Sequence, residues 1–518
     1  MQKTDNETDV PRASRKALYV LLFLTGLILF VTMPKWIYVG DSISVRAASI
    51  RLLTNGELNL PFDFVKSFGN GERGAYYCEN PESGKWFSKY GVFTTLIFVP
   101  PLWVEQITTG RLPMFSELDA AGLERRCLIL NSYNILLSLL LAGYLYFTAI
   151  IYFSKPRQAA AYVLVVFFGT FLWYYLRAQT VEIFQVLFFT AAYFHLIRAD
   201  RYAAEHGPEG RYVFHALMVS VFVVFLSLQK SVFVLLMPLT AVFLVLAGFR
   251  RSDGIRVRDF VTVRMRSSWK PLLVTTVFPF CIAIGLIAVN NTFCFGSPFL
   301  SGYHQWERFS PIFSQNIEVG LFGFLFSPRK SIFLYFPVFA ISLAGLIPFA
   351  KRYPFDFALS WISFGMFYVF CSTLIFWGGD WCLGPRYLLF VLPVLSLSVS
   401  ELIPQVKSRK GGRQIFIAAG IVLLFWVGMN QVLVQSFEFF APFRAERPFE
   451  NVNDPEVRAY FKKPFWTINR DLLFFRMGRS GFPPLDRCRS LFSENEMNLA
   501  ERELKSIPLN NYYWIRSK

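Results

Sequence analysis

Long apolar runs separated by short polar stretches set the pattern of this chain. They fall at about 17–38, 127–153, 158–176, 179–197, 212–229, 231–249, 271–292, 331–350, 356–376, 385–404 and 413–436. Each is close to the ~20 residues that a helix needs to cross a bilayer. A shorter run at 91–107 contains Pro100 and Pro101, which remove backbone donors and bend or end helices. The pattern predicts an all-α polytopic membrane protein with about eleven transmembrane helices.

Whether 91–107 crosses decides the side on which every later loop falls, and charge decides between the two arrangements. If it does not cross, one face collects Lys155 and Arg157, then Arg198, Arg201 and Arg211. It also collects the cluster from Arg250 to Lys270, Lys351 and Arg352, and Lys407 to Arg413. Basic residues gather in cytoplasmic loops. The expected arrangement therefore has the N-terminus inside, 91–107 as a juxtamembrane or re-entrant element on the outer face, and the C-terminus outside. The outer face holds a long first loop at 39–126, the turns 177–182 and 229–231, the loop 293–330 and the turn 377–386. Residues 1–436 form the transmembrane domain in this reading. Residues 437–518, rich in Phe, Trp, Arg and Lys, read as an outer-face tail with interfacial helices.

Composition agrees. The 518 residues are 54% hydrophobic, 18% aromatic and 17% charged, against about 25% charged in soluble domains. The net charge of +17 follows from the inside loops, and no basic run accompanies a folded soluble module, so nucleic acid is not an expected partner. The N-terminal segment is too polar for a secretory signal, and the first run reads as a retained span. The seven cysteines have no metal-binding spacing. Cys78, Cys294, Cys382 and Cys488 fall on the outer side, where a disulfide among them is open.

Ionisable residues at the outer ends of spans are the candidates for chemistry, because charge near a bilayer is costly. Asp41 opens the segment GDSISVRAASIRLLTNGELNL, either as an N-cap or as a catalytic carboxylate. Lys89 in WFSKYG, Arg177 in LRAQTVE, Lys230 in LQKSVF and Arg386 in GPRYLL are candidate anion-binding cations, or residues that merely snorkel or turn at the interface. Glu182 either caps its helix or supports those cations. His304 and Glu307 in GYHQWERF and Asp380 in WGGDW complete the set. Asp380 alternatively makes a tight turn, and a lone His304 is a weak metal signal, which leaves a divalent cation open.

Taken together, these segments resemble the GT-C-type membrane glycosyltransferases that use polyprenyl-phosphate-linked sugars, such as protein O-mannosyltransferases and aminoarabinose transferases. Asp41 with SISVRAASIRLLTNGELNLP is similar to the acid and juxtamembrane helix of the family's first outer loop. SKYG before a Pro-containing amphipathic element is similar to its second juxtamembrane helix. LRAQTVEIF, LQKSVF, LFSPRKSIFLYFPVF and GPRYLLFVLPVL follow in matching order over about residues 17–436. Here Asp41 is followed by Ser42 where many members have a second acid. The resemblance implies an inverting sugar transfer on the outer, periplasmic face of a bacterial inner membrane. Asp41 would be the base, and Lys89, Arg177, Lys230 and Arg386 would bind the donor phosphate. Glu182, Asp380 and His304 would support them. Its partners would be a polyprenyl-phosphate sugar, membrane lipid and an unspecified glycan, lipid or protein acceptor. A lipid-linked saccharide flippase, another transporter or an O-antigen polymerase or ligase is the competing class. A transporter is expected to show matching halves and charges at mid-depth, and neither is visible here.

This topology is directly measurable. A reporter fused near Thr109 is expected to read outside and one near Ser252 inside. An inside signal near Thr109 overturns the arrangement.

Overall fold

The computed structural model describes residues 12–34, 40–68, 76–178, 180–249, 256–303, 311–379, 382–408, 411–430, 445–463 and 465–506. Among these, helices dominate and a single two-stranded sheet occurs. Helix α1 (Arg12–Val31) packs along α5 (Ala120–Ala149), where Ser14 Oγ and Tyr146 Oη lie 3.1 Å apart. Asp119 starts α5 by accepting the amide of Gly122 at 2.7 Å, the role that N-cap carboxylates fill. Helix α6 (Pro156–Phe168), α7 (Leu172–Arg177), α8 (Glu182–His206) and α9 (Arg211–Gln229) follow. Among the described residues, five helices are long and apolar enough to cross a membrane: Ala13–Val31, Ala121–Ala149, Arg211–Gln229, Trp269–Phe295 and Pro354–Ser372. The chain is an integral membrane protein.

Of the remaining apolar runs, 179–197 lies in the 25-residue α8 and 413–436 begins as the helix Gly412–Asn430. The runs 158–176, 231–249, 331–350 and 385–404 fold as shorter pieces, so the expected eleven continuous spans are not seen as such among the described residues. Residues 231–246 begin as a 3-10 segment, Ser231–Leu235, before α10 (Leu236–Leu246). The run 331–350 breaks into Ile332–Tyr335, Pro337–Ser342 and Leu346–Arg352. Proline at the start of a helical piece is favourable, but it cannot continue the hydrogen bonding of the piece before it. Helix α11 (Val257–Leu272) contains Pro271. It continues through a π-helical turn, Leu273–Val277, into α12 (Phe278–Phe295).

One end of the bundle is fastened by a buried polar cluster. Tyr152, just past α5, donates its hydroxyl to Asp356 at 2.8 Å. Arg201, late in α8, reaches the same carboxylate at 3.4 Å. Lys155, Arg157, Arg211, Lys351 and Arg352 neighbour these residues in sequence. The basic loops assigned to one side by charge thus gather at one end of the described helices. The opposite end carries the start of α5, the start of α8 and the end of α9.

Helix α4 (Val92–Thr109) lies along that opposite end. Near its start, the Thr94 hydroxyl donates to the carbonyl of Gln229, the last residue of α9, at 2.9 Å. Near its end, Glu105 pairs with Arg126 in the second turn of α5. Both ends therefore touch helix ends at one face. Pro101 is accommodated because the carbonyl it leaves open, that of Ile97, accepts the Tyr133 hydroxyl at 3.0 Å.

The Glu105–Arg126 pair is fully buried and two-pronged. Arg126 Nε donates to both carboxylate oxygens, at 3.1 and 2.9 Å, and Nη2 donates to Oε1 at 3.0 Å. Nη2 also donates to the Pro113 carbonyl at 2.6 Å.

Residues 445–506 gather around a core of their own, with Phe449, Tyr460, Phe461, Phe482, Leu485 and Leu504 among its buried members. Arg329 joins this unit to the membrane part, donating through Nη1 to the Phe461 carbonyl at 2.8 Å. No disulfide is formed among the described cysteines. Cys78 and Cys294 share one small buried cluster, and burial pushes the Cys78 thiol up to about 12.

Removing one partner of a buried ion pair strands the other charge at a cost of roughly 3–5 kcal/mol. Glu105→Gln and Arg126→Met are each expected to lower the thermal midpoint of the detergent-solubilised protein strongly. The double variant should recover part of the loss. A double variant worse than either single would contradict the pairing.

Candidate functional site

The site is built at the face where α4 lies. Strands β1 (Tyr77–Glu79) and β2 (Trp86–Ser88) form an antiparallel hairpin with Tyr77 opposite Ser88. The chain leaves β2 directly into Lys89, whose amide donates to the Tyr76 carbonyl at 3.1 Å. The Lys89 ammonium then sits among three phenol rings, 5.3 Å from Tyr76, 5.2 Å from Tyr90 and 5.6 Å from Tyr303. Tyr303 is brought there by Gly302, where an added Cβ would lie 2.0 Å from the Lys89 carbonyl oxygen. Only glycine permits that approach. The Cys78 thiol donates to the Gly302 carbonyl at 2.8 Å and holds the contact from the other side.

Lys230 marks the end of α9. Its backbone is extended, with φ −149° and ψ 114°, and the 3-10 turns that follow redirect the chain. Its ammonium lies 4.7 Å from the centre of the Tyr387 ring. Arg386 lies over the same ring at 5.1 Å and reaches Glu182, the first residue of α8, at 3.5 Å. The Arg386 side chain rests on Gly379, where φ is +67° and an added Cβ would meet Nε at 2.7 Å. Two physical demands, a left-handed backbone and room for the guanidinium, thus fall on one glycine.

Lys89, Lys230 and Arg386 line one cavity of about 490 Å³, within the size range of ligand sites. Gln185, Tyr303 and Tyr387 share its polar part. Phe233, Phe313, Phe367, Phe370, Leu374 and Phe376 form an apolar wall. Among the described lining residues there is no carboxylate. The arrangement can hold an anion at one end and a hydrocarbon chain along the other. Tyr303, Tyr387 and Gln185 were not singled out from sequence, because tyrosines at span ends read as an interfacial belt. In the sequence Tyr387 follows Arg386, Tyr303 precedes His304 and Gln185 lies one turn from Glu182, and that was the available signal.

Asp41 is the second residue of α2 (Gly40–Asn55), and its side chain lies outside the described residues. One turn on, Ser44 Oγ is 3.1 Å from Ser88 Oγ, the residue before Lys89. The first turns of α2 and the Lys89 cage are therefore in contact. Arg46 anchors this turn from within. It is fully buried, donates through Nε to the Ser42 carbonyl at 2.9 Å, and lies between the rings of Phe98 and Phe115. Burial pushes its guanidinium down to about 9, with Arg126 adding to the effect.

Arg177 does not line the cavity. It is buried, and its Nε donates to the Thr32 carbonyl just past the end of α1. His304, Glu307 and Asp380 lie outside the described residues. Among the described residues, no three His, Cys, Asp or Glu side chains gather as a metal site.

No protein-family model and no curated protein matches the chain. Solved structures do. The oligosaccharyltransferase AglB from Archaeoglobus fulgidus, in complex with an inhibitory peptide and a dolichol-phosphate, aligns with a TM-score of 0.50 and 11% identity, over 87% of this chain and 60% of that one. ArnT from Cupriavidus metallidurans aligns in its apo state with a TM-score of 0.48 and 14% identity, over 95% and 75%. ArnT bound to undecaprenyl phosphate aligns with a TM-score of 0.44 and 13% identity, over 96% and 76%. The chain spans about three fifths of the length of the archaeal oligosaccharyltransferase it matches. The chain has a GT-C-type fold.

Proposed function

We propose that this chain transfers a sugar from a polyprenyl-phosphate donor to an acceptor at the outer face of a bacterial inner membrane, with its N-terminus in the cytoplasm. The observation that carries the reading is the cavity in which Lys89, Lys230 and Arg386 meet a phenyl-lined wall. A phosphate ester on a long hydrocarbon is the ligand class that satisfies both halves. The names of the aligned structures, with dolichol-phosphate and undecaprenyl phosphate bound, support it. Residues 1–436 are the transferase unit in this proposal, and 437–518 an outer-face tail.

The chemistry follows from charge. The bond between the anomeric carbon and the phosphate oxygen breaks, and its electron pair goes to the phosphate. Lys89, Lys230 and Arg386 offset the charge that grows there. An acceptor hydroxyl oxygen attacks the anomeric carbon from the opposite side, and its proton passes to the Asp41 carboxylate, so the configuration inverts. Glu182 holds the Arg386 guanidinium in place through the 3.5 Å contact. Arg177, hydrogen-bonded at the end of α1, has a supporting role in the local fold in this scheme, not a phosphate contact.

Asp41→Asn is expected to lower transfer from labelled polyprenyl-phosphate sugar by about 10²–10⁴-fold, the usual contribution of a general base. Binding of polyprenyl phosphate should persist. Transfer at the normal rate in this variant removes Asp41 from the mechanism. Movement of label across the membrane without transfer favours a flippase instead.

Lys89→Gln and Lys230→Gln are each expected to weaken undecaprenyl phosphate binding by roughly 10–100-fold, the range for one hydrogen bond to a charged group. Titration of the purified protein with that lipid measures the change. Unaltered affinity in both variants would place the phosphate elsewhere.

A further inference from the structure

Lys89 and Lys230 also border a second cavity. It has a volume of about 460 Å³ and lies between α4, α9 and α12. The two cavities share Lys89, Lys230, Ser231, Ser301 and Tyr303. They differ in what surrounds this common head. The first adds the Arg386 cation beside the Gln185 amide. The second adds the amides of Gln229 and Asn290. Cations suit a phosphate, whereas amides and hydroxyls suit the hydroxyl groups of a sugar.

The far end of the second cavity opens toward lipid. Leu96 on α4 and Leu286 and Val289 on α12 line it, and these are exposed apolar residues, Val289 to 67%. Helix α12 belongs to one of the helices apolar enough to cross a membrane. An acceptor arriving from water has no use for such a wall, but a hydrocarbon tail does.

Gln229 adds a separate observation. It is 2% exposed. Its Nε2 donates to the Val181 carbonyl at 2.8 Å, while its Oε1 has no hydrogen-bond partner among the described residues. A buried acceptor left open beside a cavity is a place for a donor from a ligand.

We infer that the acceptor is itself a membrane lipid with a hydroxyl-bearing head, its tail between α4 and α12 and its head at Gln229 beside the shared lysines. This rests on the transferase reading. The donor lipid occupies the phenyl-walled cavity, so the two lipids reach one reaction centre from two sides of Lys89 and Lys230.

The test uses the full chain in vesicles of phosphatidylethanolamine and phosphatidylglycerol, with three diazirine-tailed probes: a polyprenyl phosphate, a glycosyl diacylglycerol and a phosphatidylcholine. The glycolipid is expected to label peptides around Leu96 and Val289 several-fold more than the phosphatidylcholine does. Excess unlabelled polyprenyl phosphate should leave that labelling in place. Gln229→Leu, and separately Leu96→Trp, should reduce it to the phosphatidylcholine level, while polyprenyl phosphate still labels peptides around Phe313 and Phe370. Equal labelling by glycolipid and phosphatidylcholine overturns the inference, since the groove then holds ordinary boundary lipid. Loss of the glycolipid signal on adding polyprenyl phosphate also overturns it, since the groove then belongs to the donor. A polyprenyl phosphate probe that labels neither cavity sinks the transferase reading itself, an outcome distinct from both.

Discussion

The central constraint is the cost of keeping several cations in a largely apolar wall at a bilayer edge. Withdrawing a charged group from water is unfavourable unless something replaces its hydration. Aromatic faces supply part of that replacement, since a desolvated cation over a ring gains about 2 kcal/mol. Tyr76, Tyr90 and Tyr303 do this for Lys89, and Tyr387 does it for Lys230 and Arg386. Glu182 adds a carboxylate contact to Arg386.

Such a site needs a stiff support, because a displaced cation a few ångströms away loses most of its effect on a phosphate oxygen. The support comes from elements that run along the face of the bundle. Helix α4 is tied at one end to α9 through Thr94 and at the other to α5 through Glu105 and Arg126. Helix α2 is tied to α4 through the Ser49 hydroxyl, which donates to the Thr95 carbonyl at 2.7 Å, and to β2 through Ser44. The residues that do chemistry in the proposal thus sit on short segments held by longer ones.

Much of this was legible in the sequence, for identifiable reasons. Apolar runs of membrane length reveal helices whatever their neighbours are. Basic loops reveal which helix ends share a side, and that alone brought Lys89, Lys230, Arg386 and Glu182 to one face. Arg177 was read as a phosphate ligand because its local signal, a cation at a helix end, fits two roles equally. In the structure it answers the open carbonyl of Thr32 beyond α1, and helix C-terminal carbonyls attract cations. The broken spans at 331–350 and 385–404 escaped notice because hydropathy does not register where a proline interrupts the hydrogen bonding. The run 91–107 posed the reverse problem. Its prolines suggested a break, yet Tyr133, distant in sequence, supplies the missing bond.

The shared lysines connect these points. Lys89 and Lys230 sit against aromatic rings, whereas Arg126 is locked to Glu105 and the Pro113 carbonyl. Lys89 and Lys230 border both cavities, while Arg386, tied to Glu182, borders one. In the proposal, two ligands therefore approach the same centre. The asymmetry between the cavities then follows from a single residue. The side with Arg386 carries the extra charge that a departing phosphate requires, and the side without it is left to amides and hydroxyls.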